Sequence, residues 1–266
     1  MDFITAYIYS IVFILGATIG SFLNVCIYRI PAGLSIVKPR SRCGSCERRL
    51  TARDLVPILS WVLLKGKCRT CGSKISIRYP LVEALEGLLF VLVFIRFGLA
   101  MMTPIMWLFS AIMTVVFFID LDHQIIPNKV VLFGLVVGIL PALYAWFGEG
   151  GYPFYFTERL FEPLLGLAVP FLLMLFMALF SVVLFKRSGL GMGDVKIYAV
   201  IGLFLGWGYA LLSIWIAFFL GGLFGIVWIF VLKRPKEAMI PFAPFIVIGS
   251  MVAMLYGYDI LTVIYR

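Results

Sequence analysis

The sequence predicts an all-α polytopic membrane protein with about eight transmembrane helices and a small cytoplasmic zinc-binding loop domain. Hydrophobic residues make up 63% of its 266 residues and the mean hydropathy is +1.10, against roughly 45–50% apolar residues in soluble domains. These residues fall into runs of about twenty, the length that a helix needs to cross the hydrocarbon core. A basic segment with four cysteines follows the first run. This composition excludes a soluble globular domain.

The apolar runs define eight predicted spans. They cover residues 3–28, 80–97, 104–121, 129–147, 163–185, 195–212, 213–232 and 239–258. The sixth and seventh are continuous, and we place a turn between them near Gly206–Tyr209, where glycines and interfacial aromatic residues meet. The first run is too long for a signal-peptide h-region and follows Asp2 rather than a basic residue, so we expect it to be a span.

The basic residues predict the orientation. Twelve of the 22 Lys and Arg residues lie between Arg29 and Arg78, so this segment carries formal +10 and the rest of the chain −1. Short loops rich in Lys and Arg stay in the cytoplasm. We therefore expect residues 29–79 inside, the N-terminus in the periplasm and the acidic loop near 148–162 outside. Nucleic-acid binding is the other interpretation of a basic segment, but the positive-inside rule already accounts for these charges.

Two acidic residues stand at the edges of apolar runs. Asp120 ends the third span and Asp194 begins the sixth, both on the cytoplasmic side of the predicted topology. A carboxylate at membrane depth is costly and is tolerated mainly where it functions or is paired. Each alone is explained as an ordinary acid at a helix end. Together, with Gly191-Met192-Gly193 before Asp194, they predict a paired-carboxylate site.

Such a pair has a specific chemistry. Two neighbouring carboxyl groups share a proton and titrate as one coupled unit. One then acts as general base on a water molecule while the other, protonated, polarises a scissile carbonyl. Asp122 competes with Asp120 for this role, because residues two apart on a helix point about 200° apart. Periodicity does not choose between them.

The basic segment contains two C-x-x-C pairs, Cys43/Cys46 and Cys68/Cys71. This arrangement is typical of a tetrahedral structural zinc site. Gly44 and Gly72 are expected to permit the tight turns around the metal, which would stabilise a segment of about 50 residues with little apolar core. Disulfides are the alternative, but the cytoplasm keeps thiols reduced. Cys26, within the first span, is predicted to be a packing residue.

Taken together, these residues resemble the type IV prepilin peptidase family. The resemblance runs nearly from end to end of the chain, and the order and spacing of its motifs are specific. The matching stretches are Gly20–Val25, Arg29–Pro31, the two cysteine pairs, Arg78–Glu83, Asp120–Pro127, Gly191–Lys196 and Ile240–Phe245. Ala243 stands where the family usually has glycine.

The resemblance implies a bifunctional enzyme of the bacterial inner membrane. It implies an aspartyl endopeptidase with Asp120 and Asp194 as catalytic residues, acting on prepilins and pseudopilins whose basic leader lies in the cytoplasm. It also implies methylation of the new N-terminus from S-adenosylmethionine, with Gly66 and Lys67 at positions tied to that step. The corresponding domains are residues 1–28, a zinc-binding domain at 29–79 and a peptidase bundle at 80–266. Membrane lipid is expected around the spans, and nucleic acid is not an expected partner.

Three other functions compete with this interpretation. A proton-coupled secondary transporter could use both acids, although such sites usually lie near the membrane midplane between repeats. A peptidase without methyltransferase activity fits the residues equally well, since methyl transfer rests on the resemblance alone. A zinc-dependent membrane adaptor would need neither acid.

Overall fold

The computed structural model describes residues 3–148, 152–155, 161–186, 190–231 and 240–264. Their regular structure is helical, which confirms the all-α prediction. The α-helices are α1 (Phe3–Arg29), α2 (Leu59–Leu63), α3 (Arg78–Phe97), α4 (Met102–His123), α5 (Asn128–Val137), α6 (Ile139–Phe147), α7 (Glu162–Phe185), α8 (Met192–Ile226) and α9 (Ala243–Ile264). A 3₁₀-helix covers Ala52–Asp54, and a π-helical stretch, Val227–Val231, extends α8.

The chain forms two compact units. The first ends at Val115 and the second begins at Val116, so the boundary falls within α4. The first unit contains α1, α2, α3 and the four paired cysteines, and the second contains α5 to α9. The predicted division at residues 28/29 and 79/80 stays a prediction.

In the first unit, α1 and α3 pack against each other through small residues. A methyl group on Gly16 would lie 2.8 Å from the Glu86 carbonyl oxygen, and one on Gly20 would lie 2.8 Å from the Glu83 Cα. Helices in a membrane gain most of their association energy from such close packing. Cys26 is buried on the same helix, in agreement with its predicted packing role.

In the second unit, α8 is the central helix and packs against α5, α6, α7 and α9. Its tightest contact is with α7, where a methyl group on Gly202 would overlap the carbonyl oxygen of Gly166. This face of α8 is therefore a backbone-to-backbone contact that only glycine permits at both positions.

Helix α8 is kinked where we predicted a turn. Gly206 has φ 69° and ψ 168°, which interrupts the helical ladder. The hydroxyl of Tyr152 donates to the carbonyl oxygen of Phe204 at 2.7 Å, and that of Tyr155 donates to Leu203 at 2.8 Å. A kink leaves carbonyl groups without helical partners, and neighbouring side chains must satisfy them. The two tyrosines therefore stabilise the kink.

Six helical segments of the described chain are long and apolar enough to cross a membrane. Eight spans were predicted, and two physical reasons explain the difference. The span at 80–97 corresponds to α3, which forms but carries Arg78, Glu83, Glu86 and Arg96. The spans at 195–212 and 213–232 form one segment, Met192–Val231, that bends at Gly206. The count of eight stays a prediction, and residues 149–151 and 156–160 of the acidic loop lie outside the described residues.

One predicted boundary is wrong. The last span was expected over 239–258, but α9 begins at Ala243 and continues to Ile264. Pro241 and Pro244 explain the start, because a proline is accommodated before a helix or in its first turn, where no intrahelical donor is needed. This start brings the N-terminus of α9 to Asp120, one of the two candidate catalytic residues.

Candidate active site and metal centre

Asp120 and Asp194 belong to the second unit and each lies close to a helix end. Asp120 is in the last turn of α4, and the chain reverses directly after that helix because Gln124 adopts φ 53°, a left-handed conformation that is uncommon for a residue with a side chain. Asp194 is the third residue of α8, after Gly191 at its N-cap. Both aspartates are buried, with 5% and 8% of their surface exposed.

Each carboxylate accepts a hydrogen bond from the backbone at a helix N-terminus. The N–H of Ala243, the first residue of α9, donates to Asp120 Oδ2 at 3.1 Å. The N–H of Gly191 donates to Asp194 Oδ2 at 3.1 Å. Helix N-termini carry a partial positive charge that favours an anion. Within the described part of the chain neither Oδ1 has a hydrogen-bond partner, so each aspartate keeps one oxygen for other chemistry.

The two aspartates line one cavity of about 320 Å³. The cavity is completed by the turn after α4 and the start of α8, where a methyl group on Gly193 would lie 3.0 Å from the Ile126 Cβ. Asp122 is exposed and is not among the residues that line this cavity. The geometry thus pairs Asp194 with Asp120, the choice that periodicity left open.

A lysine completes the polar lining of this cavity. Lys196 Nζ donates to Asn128 Oδ1 at 3.1 Å, and both residues line the cavity. Neither residue was predicted to have a role, because a contact across 68 residues leaves no local pattern. The N–H of Ala243 was missed for the same reason, since it meets Asp120 across 123 residues.

The four paired cysteines come together in the first unit. The Sγ atoms of Cys43, Cys46, Cys68 and Cys71 all lie within 4.8 Å of one another, and those of Cys43 and Cys71 are 3.9 Å apart. A tetrahedral zinc with Zn–S bonds of about 2.3 Å requires sulfur atoms roughly 3.8 Å apart. Backbone N–H groups of Cys46 and Ser45 lower the pKa of the Cys43 thiol to about 6, which favours the thiolate that binds metal. The group could hold zinc.

Each C-x-x-C pair forms the same turn. The N–H of Glu47 donates to Cys43 and that of Gly72 donates to Cys68, each at 3.0 Å. Glu47 and Gly72 have φ of 52° and 69°. The expectation for Gly72 is confirmed. The expectation for Gly44 is wrong, because Gly44 has no positive φ and the left-handed residue of the first turn is Glu47.

A buried carboxylate joins the two turns. Asp54 accepts from Arg48 at 3.0 Å and from Arg69 at 2.9 Å, and only 4% of its side chain is exposed. The N–H and hydroxyl of Thr51 also donate to it, and the Thr51 N–H is the main reason that the pKa of Asp54 lies well below its usual range. Its contribution to stability is therefore present above about pH 4 and lost as the pH falls below that value.

Gly66 and Lys67 stand just before Cys68. Gly66 is buried at φ 67°, and a methyl group there would lie 2.9 Å from the Trp61 ring. Its N–H donates to Trp61 and its carbonyl oxygen accepts from Ile75 at 2.7 Å, so both of its backbone groups are used within the fold. Lys67 is exposed.

Comparisons with known proteins connect both sites to one family. Residues 14–97, with the four cysteines, match the bacterial peptidase A24 N-terminal domain, and residues 107–226, with both aspartates, match the type IV leader peptidase family. A protein of Bacillus subtilis (strain 168), named prepilin leader peptidase/N-methyltransferase, is 35% identical over 95% of this chain and 96% of its own length. The chain belongs to the type IV leader peptidase family.

Other members of the family agree with this assignment. Proteins with the same name are 33% identical in Stutzerimonas stutzeri, over 93% of this chain and 90% of theirs, and 42% identical in Myxococcus xanthus (strain DK1622), over 73% and 55%. No solved structure matches the chain. Because the leader peptidases are an enzyme family, the protein is an enzyme, and its apolar helices make it a multi-pass membrane protein.

Proposed function

We propose that this enzyme removes the short basic leader of type IV prepilins or pseudopilins and then methylates the new N-terminal amine, using S-adenosylmethionine. The observation that carries the proposal is that Asp120 and Asp194 line one cavity, each with one oxygen bonded to a helix N-terminus and one without a partner in the described chain. The names of the relatives support the same two activities.

The peptidase step uses the two aspartates as a coupled acid and base. The ionised one removes a proton from water as the water oxygen attacks the scissile carbonyl carbon, while the protonated one donates its proton to the carbonyl oxygen. The tetrahedral intermediate then collapses: the C–N bond breaks as the aspartate that took the water proton gives it to the leaving nitrogen. The other aspartate takes back the hydroxyl proton of the intermediate, so the pair again shares one proton. The N–H groups of Ala243 and Gly191 hold both carboxylates in place throughout.

We propose that this reaction takes place at the cytoplasmic face of the inner membrane. Both aspartates lie within a turn or so of a helix end rather than at mid-helix. The +10 charge of residues 29–78 supports a cytoplasmic position for that segment by the positive-inside rule, with the N-terminus in the periplasm. The basic leader of a prepilin lies on the same side, ahead of its hydrophobic helix.

Methyl transfer is assigned to the first unit. S-adenosylmethionine, when bound, would supply an electrophilic methyl group for the new N-terminal amine, with S-adenosylhomocysteine as the leaving group and loss of one amine proton. Zinc bound by Cys43, Cys46, Cys68 and Cys71 would hold the chain around Gly66 and Lys67 in place, because structural zinc contributes folding free energy where little core exists. We assign donor binding to Lys67, because the family resemblance ties this position to methyl transfer and its side chain is exposed.

The direct test is a reaction of the purified full-length chain in detergent with a prepilin. A shift on a gel reports leader removal, and mass spectrometry of the mature N-terminus reports a methyl group added only when S-adenosylmethionine is present. We expect both products. Cleavage without methylation would show that the protein is a peptidase without methyltransferase activity, and the absence of both products would refute the proposal.

A further inference from the structure

A second cavity, of about 690 Å³, lies in the first unit where the end of α1 meets the segment that follows it. Arg29, Arg40 and Arg49 line it. No aspartate or glutamate is among its lining residues, all of which lie in the described part of the chain. The cavity therefore concentrates positive charge without an acidic residue of its own.

The neighbouring acid does not neutralise this charge. Asp54 is held by Arg48 and Arg69 at the cysteine turns. Arg29 donates one hydrogen bond, from Nη1 to the Ser35 carbonyl oxygen at 2.9 Å, and a guanidinium has five N–H groups. Within the described residues, Arg40 and Arg49 make no ion pair within 4.0 Å. Most donors around the cavity are thus available to an anion.

The other walls of the cavity are apolar. Phe22 and Val25 contribute from α1, and Ile36, Val37 and Leu55 contribute from the following segment. Phe22 and Val37 are 49% and 74% exposed, so the apolar side is open to the surroundings. An inorganic anion gains nothing from such a wall, whereas an anion with an attached hydrocarbon chain can bury that chain against it.

S-adenosylmethionine is a poor match for this cavity. It carries a sulfonium, an ammonium and one carboxylate group, so its net charge is positive, and three guanidinium groups would on balance repel it. The cavity therefore differs from the methyl-donor site proposed at Lys67. Its position at the basic end of an apolar helix is where headgroups meet acyl chains in a bilayer that α1 crosses.

We propose that this cavity binds the headgroup of an anionic phospholipid. The guanidinium groups of Arg29, Arg40 and Arg49 contact the phosphate, as arginine does through paired N–H groups. The first part of an acyl chain packs on Phe22 and Val37. Basic pockets at the cytoplasmic ends of transmembrane helices are suited to such lipids. The bound lipid fastens the cysteine-containing segment to the membrane surface.

The test is native mass spectrometry of the full-length chain in detergent, titrated with phosphatidylglycerol or with phosphatidylcholine of identical acyl chains. We expect the wild-type chain to prefer phosphatidylglycerol. The double variant Arg40→Gln/Arg49→Gln should bind it about 25-fold more weakly, at about fivefold for each guanidinium removed. The matched control is Arg42→Gln/Arg53→Gln, which removes the same charge from exposed arginines outside the cavity and should bind normally.

Several results would overturn the proposal. One is equal affinity of the wild-type chain for the two lipids, which requires no variant. Another is an equal loss in the two double variants, which would indicate a diffuse charge effect. Displacement of phosphatidylglycerol by millimolar inorganic phosphate would indicate a free-phosphate site instead. If Arg40→Gln/Arg49→Gln unfolds, Arg40→Lys/Arg49→Lys decides. It keeps the charge but not the paired N–H groups, so it should still prefer phosphatidylglycerol to phosphatidylcholine, less strongly than the wild-type chain. Loss of that preference in the folded lysine variant contradicts the proposal.

Discussion

The contact between Glu83 and Ile58 gives the sharpest prediction about the first unit. Ile58 precedes α2 and adopts φ 59° and ψ −53°, with the Leu59 N–H donating to the Pro57 carbonyl oxygen. A β-branched residue with positive φ is a true outlier and costs on the order of 1–3 kcal/mol. The Ile58 N–H donates to Glu83 Oε2 at 2.7 Å, so a carboxylate from α3 holds the strained turn.

The perturbation is Glu83→Leu, which removes the acceptor and keeps an apolar side chain on α3. A hydrogen bond to a charged group contributes about 1.5–3 kcal/mol, which matches the strain that it offsets. The turn should then open about 2 kcal/mol more easily, and amide exchange there should rise about 30-fold. Glu83→Gln keeps a neutral acceptor, which contributes about 1 kcal/mol, so its amide exchange at the turn should lie between those of the wild-type chain and Glu83→Leu.

The assay is hydrogen exchange with mass spectrometry over residues 55–67, together with the cleavage and methylation assays. Because the turn leads through α2 to Gly66 and Lys67, methylation should fall while cleavage persists. The matched control is Glu86→Gln, one turn further along α3, where the carboxylate instead accepts from Ser110 and Thr114. Unchanged exchange at Ile58 in Glu83→Leu would refute this reasoning.

Three further predictions follow from zinc, packing and topology. Cys43→Ser or Cys71→Ser should lose bound zinc, which can contribute roughly 10 kcal/mol of folding free energy, and should lose methylation before cleavage; full methylation by a metal-free protein would contradict the zinc role. Gly202→Ala should overpack the contact with α7, which costs about 1–3 kcal/mol, and should therefore lower the melting temperature. Gly222→Ala, with open space around it, should leave the melting temperature unchanged. A cysteine introduced at Pro153, which is exposed in the described part of this loop, should react with an impermeant maleimide from the periplasm, and cysteines introduced at 35–60 should not; the reverse pattern would invert the topology.

Features that depend on local spacing were predictable from the sequence. The two C-x-x-C pairs converge because each forms its own turn, and the apolar runs become helices since each span satisfies its own backbone. Features that depend on distant partners were not. Gly206 indicated the kink, but the hydrogen bond from Tyr152 that stabilises it reaches Phe204 across 52 residues. Likewise, the contact of the Ala243 N–H with Asp120 joins residues 123 apart. No local sequence pattern encodes these contacts.

The central claim is that Asp120 and Asp194 form one catalytic pair, and substitution by asparagine tests it most directly. Prepilin cleavage should be measured for purified Asp120→Asn, Asp194→Asn and Asp122→Asn proteins with matched melting temperatures. Losing a general acid or base costs about 10²–10⁴-fold, so we expect the first two variants to show no detectable cleavage. Asp122→Asn should keep substantial activity, because Asp122 is exposed outside the cavity. Near-normal cleavage by Asp194→Asn would contradict the account.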